Sequence, residues 1–164
     1  MAATKSLQDL FVNLLKDMYF AEKQILKALP KMAKKADSDE LRQAFEHHFK
    51  GDRRPGRAPR AGVRLMWPEA FGQDLCPAIE GILEEGEEDM KEAKEPKVLD
   101  AGMIADAQAV EHYEIARYGT LIAGANQLGM PDAARLFQQN IDQEYNADML
   151  LTDLAEGRLN RQAA

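Results

Sequence analysis

The sequence predicts an all-α protein, an antiparallel four-helix bundle with one additional short helix, and three observations carry that reading. Helix formers (Ala, Leu, Glu, Lys, Gln, Met) dominate the 164 residues and β-branched runs are few, so strands have little to be built from. Apolar residues recur at alternating spacings of three and four over several long stretches, the period of a helix buried along one stripe. Short breaks rich in capping and terminating residues separate those stretches, and long helices with short connections pack antiparallel.

Ser6 is placed to cap a first helix in which Leu7, Leu10, Phe11, Leu14, Met18, Ile25, Leu29 and Met32 mark one stripe up to about Ala36. Pro30 falls late in it, where the loss of one backbone hydrogen bond favours a kink. Asp37 to Asp39 form a break, with Ser38 or Asp39 capping a second helix through Leu41, Ala44, Phe45 and His48. Cys76-Pro77 opens a shorter acidic helix, Ala78 to about Ala93, because proline suits the first turn and acidic side chains favour the N-terminal half. It stops before Pro96. A fourth helix runs from about Lys97 to Leu128 with Gly129 as its C-cap, and Pro131 starts a last helix to about Ala155, ended by Gly157.

The length fits one domain, 1–164, able to bury a substantial core without disulfides, and the single Cys76 cannot form one internally. The first residues lack a charged-then-apolar signal pattern, which makes the cytoplasm the expected location. No apolar run approaches the roughly 20 residues of a membrane helix. A formal charge of −7 argues against a general nucleic-acid binder, leaving ions, small molecules or other chains as partners.

Glutamates break the apolar stripes from inside. Glu22 shares a face with Leu15, Met18, Ile25 and Leu29 in the first helix. In the fourth, the stripe reads Ala107, Glu111, Glu114, Tyr118, Leu121, Ala125, Leu128. In the last it reads Phe137, Asn140, Glu144, Ala147, Leu151, Leu154, with Asp148 one turn beyond Glu144. Gathered ionised carboxylates need positive charge, and helix bundles supply it as di-iron or di-manganese centres. Oxygen-rich ligation selects two metal ions of this kind, iron first and manganese second.

A single inward glutamate is more often paired with Lys or Arg than bound to metal. Glu22, Glu111 and Glu144 together favour ligation, whereas Glu114 and Asp148 fit equally well as ligands or as residues behind them. His47, His48 and His112 read as surface or packing histidines, His48 being nearest the site expected on the second helix. Tyr118, one turn past Glu114, is placed either for hydrogen bonding or redox chemistry at the site or for the core. A weak internal repeat pairs the Glu22 helix and the Phe45 helix with the Glu111 helix and the Phe137 helix. That symmetry asks for a second-helix carboxylate near position 51 or 52, where the chain has Gly51 and Asp52.

The phrases YFAEKQ from Tyr19, CPAIEGILEE from Cys76, VEHYEIARYGTL from Val110 and LTDLAEG from Leu151 resemble the YciE/YciF-type bacterial stress proteins. The resemblance covers nearly the whole chain except about Lys50 to Leu75. It implies a ferritin-like fold similar in its helix core to rubrerythrin, a homodimer and a metal pair, in a family whose activity is poorly defined. By motif, Glu22, Glu111 and Glu144 match the expected ligand positions; Glu114 and Asp148 match less closely.

Lys50 to Leu75 departs from that pattern. It places Pro55 and Pro59 where a long helix is expected and holds six basic against three acidic side chains in an otherwise acidic protein. A codon set exists that encodes Lys50 to Arg64 as written and, read in the next frame, restores a helical sequence with a glutamate in place of Gly51 and a glutamine in place of Pro55. The segment therefore reads as a frame-shifted stretch, with a return to frame just before Cys76. As written, the second helix supplies no glutamate, and Asp52 or His48 is left to substitute. Two functions follow as expectations: a di-metal carboxylate protein of the stress response handling iron or peroxide, or a non-enzymatic structural dimer whose inward carboxylates are salt-bridged.

Overall fold

The computed structural model describes residues 4–52 and 75–164. These form helices α1 (Leu7–Lys35), α2 (Asp39–Asp52), α3 (Pro77–Glu92), α4 (Pro96–Gln127) and α5 (Pro131–Leu154). A π-helical turn at Ala155–Leu159 then leads into α6 (Asn160–Ala163). Among the described residues there is no strand, and no helix is long and apolar enough to cross a membrane. The all-α bundle is the predicted one, with α3 as the short addition to α1, α2, α4 and α5.

Local chemistry sets most boundaries. Ser6 Oγ accepts the Asp9 amide at 3.0 Å, capping α1, which continues as one helix across Pro30. Ser38 rather than Asp39 caps α2: its Oγ accepts the Leu41 amide at 3.3 Å and its carbonyl the Arg42 amide at 3.0 Å. The turn before α2 is tied to α4 by Asp100, fully buried, whose carboxylate accepts the Asp37 and Ser38 amides at 2.9 and 2.8 Å. Gly129 adopts φ +72° and lets the Met130 amide reach back to the Ala125 carbonyl at 2.8 Å, closing α4.

Gly157 does not end the last helix as expected. The helical path passes through it in the π turn, because Leu159 is buried and Arg158 Nη2 donates to Glu40 Oε2 of α2 at 2.8 Å. Those contacts outweigh the roughly 1 kcal/mol helix penalty of a glycine. Leu7 and Leu10 also depart from their assigned stripe and stay more than 40% exposed, with burial beginning at Phe11.

Helices α1 and α4, and α4 and α5, run antiparallel, whereas α3 lies parallel to α1, Lys31 meeting Glu87 and Lys35 meeting Met90. Phe11 of α1 lies against Gly124 near the end of α4, while Asp37, just past α1, bonds to Asp100 near the start of α4. Between α4 and α5, Tyr118 meets Asn140 and Gln108 meets Asp148. Among the described residues the buried apolar side chains form two clusters. One joins the second half of α1 to α2, α3, the first half of α4 and the Leu151–Leu159 end. The other joins the first half of α1 to the second half of α4 and the first half of α5. The inward glutamates fall where one cluster gives way to the other: Glu22 between Met18 and Ile25, Glu111 and Glu114 between Val110 and Tyr118, Glu144 between Ile141 and Leu151.

The expected continuation of α2 through Gly51 to Val63 runs, beyond Asp52, outside the described residues, as does most of the Lys50 to Leu75 segment.

Candidate metal centre

Four helices deliver polar side chains to this junction. Glu111 and Glu114 are three apart on α4, hence on one face, and are 3% and 0% exposed. Glu144 of α5 is 0% exposed and Glu22 of α1 is 4% exposed. All four glutamates therefore point inward, as their stripe positions require.

The fifth side chain is His48 of α2. Its Nδ1 lies 3.2 Å from Glu111 Oε1 and its Nε2 3.7 Å from Glu144 Oε2. One donor atom from each of His48, Glu111, Glu114 and Glu144 falls within 4.8 Å of all the others. The sequence places His48 among surface or packing histidines and offers it, with Asp52, only as a substitute for the missing glutamate; the structure brings it to the group. The signal was present: His48 is three after Phe45 and seven after Leu41, both buried, so it continues the inward stripe of α2. Gly51 lines the same region and offers no donor where the repeat asked for one.

Glu22 is not one of these four mutually close donors. Its Oε1 accepts the phenol hydrogen of Tyr118, and Tyr118 Oη in turn accepts a hydrogen bond from Asn140 Nδ2 at 2.8 Å. Tyr118 thus has a hydrogen-bonding role as well as a core position, being fully buried against Phe137. Asp148 is placed apart. It accepts Gln108 Nε2 at 2.9 Å and lies 3.4 Å from Nε2 of the exposed His112, a network on the outer side of the α4–α5 pair.

A cavity of about 320 Å³ between α2, α4 and α5 opens onto the group, its wall including Phe45, His47, Ala147 and Leu151 as well as His48, Glu111 and Glu144. At the α3–α4 contact, Cys76 Sγ lies 3.2 Å from Tyr113 Oη. Burial, and then Cys76, push the Tyr113 phenol above its usual range, with Arg117 opposing.

The donor set fits metal ions. Three carboxylates and one imidazole from three helices, converging in a buried pocket, form the mixed oxygen and nitrogen environment that iron and manganese accept and that thiophilic metals do not require.

The family described as a domain of unknown function, DUF892, matches residues 6–164. The chain belongs to the DUF892 family. Protein YciF of Escherichia coli (strain K12) is 40% identical over 162 residues, 97% of this chain and 96% of that protein. The crystal structure of the E. coli stress protein YciF superposes with a TM-score of 0.83 at 39% identity, covering 96% of this chain and 99% of that one. YcfI of Rhodopseudomonas palustris, for which a structural role is suggested, superposes with a TM-score of 0.81 at 38% identity, covering 92% and 96%. The resemblance read from the sequence phrases is therefore to the right family.

Proposed function

We propose that this chain is a ferritin-like carboxylate protein of the stress response that holds two metal ions, iron first and manganese second, and handles iron or peroxide in the cytoplasm as a homodimer. The observation that carries the reading is the convergence of His48, Glu111, Glu114 and Glu144 within 4.8 Å, with buried Glu22 on the neighbouring helix. Bringing carboxylates together in a low-dielectric interior is unfavourable unless positive charge offsets them, and divalent ions do so most directly. Iron bound there would supply the electrons that reduce an oxygen species. The chain's own residues hold the site: Glu111 and Glu114 from one helix face, Glu144 from the facing helix, and His48 as the α2 donor where a glutamate is absent. The cavity bounded by Phe45, His47 and Ala147 gives small molecules access. The stress-protein description of E. coli YciF supports the biological setting.

The second reading is a metal-free structural bundle. It is favoured by His48, which if protonated bridges Glu111 and Glu144 as an internal counter-ion, and by the role suggested for YcfI. Metal analysis of protein purified without chelator separates the two. Near two equivalents of iron or manganese per chain is expected. Folded protein that carries no metal, and takes up none when ferrous iron is added anaerobically, would leave the structural reading standing.

A further inference from the structure

We infer that Asn140 and Tyr118 form a positioning chain that fixes Glu22, so that the two metal positions are unequal and only one of them depends on this chain. The inference rests on the two-metal reading above.

A phenol has one hydrogen to give and two lone pairs to offer. Asn140 Nδ2 occupies one of the lone pairs at 2.8 Å, and the single phenol hydrogen is directed at Glu22 Oε1. The three side chains come from α5, α4 and α1 and are 2%, 0% and 4% exposed, so little water is at hand to replace a lost bond. In such surroundings a broken link leaves a buried donor or acceptor unsatisfied, which makes the arrangement a specified one. The Tyr118 ring is packed on its side: Phe137, one turn before Asn140, lies 6.2 Å from it between centroids.

The site is thereby divided. His48, Glu111, Glu114 and Glu144 present four mutually close donors and can complete one position without Glu22. A second position needs Glu22, whose carboxylate orientation is set by Tyr118. Glu114, one turn before Tyr118 on the same face of α4, would be the residue to share between the two positions. Asn140 would act through Tyr118, to which it donates, and Tyr118 through Glu22.

Mn(II) titration of the full-length metal-free chain, followed by the electron paramagnetic resonance signal of free Mn(II), tests this without any turnover. The unaltered chain is expected to bind two Mn(II) in a tighter and a weaker class. Glu22→Gln should weaken one class and so identify it. Tyr118→Phe, which removes one oxygen and keeps the ring, should weaken that same class at least about tenfold, the effect typical of losing an outer hydrogen-bond partner of a metal ligand. Asn140→Leu should act in the same direction, and the double variant no more strongly than Tyr118→Phe alone. Tyr118→Phe with both classes unchanged, or with both weakened equally at unchanged helical circular dichroism, overturns the inference while leaving the metal site intact. An unaltered chain that binds no Mn(II) overturns the two-metal reading and the inference with it.

Discussion

Glu114 has no exposed surface and shares a 4.8 Å neighbourhood with Glu111, Glu144 and His48. Like charges held that close oppose folding until a cation joins them, so function and stability pull in opposite directions at this residue. Glu114→Gln is expected to raise the melting temperature of the metal-free chain and to lower its metal uptake. A lower melting temperature with unchanged uptake would contradict the arrangement. Asp106 shows the same physics away from the centre. Its carboxyl is pushed up to about 6, first by burial under α3 and then by the negative charges of Asp89 and Glu85, with Asp89 also sharing a hydrogen bond. The folded chain therefore binds this proton more tightly than the unfolded chain does. Its contribution to stability is fully present below about pH 4 and is lost as pH rises through about 6. Asp106→Asn should stabilise the protein at pH 7.5, on the order of 1 kcal/mol after allowing for solvent screening, and have little effect at pH 4. Urea unfolding at the two pH values checks it.

At the scale of elements, termini follow local rules until a tertiary contact overrides them. The close of α4 is local: Gly129 has a positive φ that other residues adopt only with strain, and its peptide neighbours satisfy the last carbonyls of the helix. Gly129→Ala should destabilise the chain by about 1 kcal/mol, read as a lower urea midpoint at unchanged slope. The close of α5 is not local, since Leu159 and Arg158 dock the chain past Gly157 onto the bundle. Gly86 shows how closely two helices are matched. A methyl group there would meet the Asp106 side chain at 3.2 Å, so α3 rests directly over the titrating carboxyl. The centre itself is an element-level product: an (i, i+3) pair on α4 joined by one residue each from α2 and α5.

At the scale of the molecule, the two apolar clusters hold the helices on either side of the polar junction, and α4 runs through both. Leu10 is exposed, and Leu26 and Ile122 are only partly buried, Ile122 at the edge of a core cluster. We expect a second copy to cover such residues, so light scattering at micromolar concentration should give the mass of a dimer; a monomer mass would refute it. The Lys50 to Leu75 segment is proposed to be a frame-shifted stretch, and intact mass of the purified protein decides which reading was made.

The sequence by itself determined what depends on neighbours along the chain: helical class, stripe faces, caps at Ser6 and Gly129, and the inward direction of Glu22, Glu111, Glu114 and Glu144. Periodicity encodes those because a helix repeats every 3.6 residues whatever it packs against. The tertiary structure decided what depends on which stripes meet. It brought His48 to Glu111 and Glu144, turned Glu22 toward Tyr118, drew Asp148 away to Gln108, and carried the last helix past Gly157. A stripe gives the direction in which a side chain leaves its helix, but the height at which two helices dock sets which side chains share a hydrogen bond, and docking height is fixed by packing across the whole core.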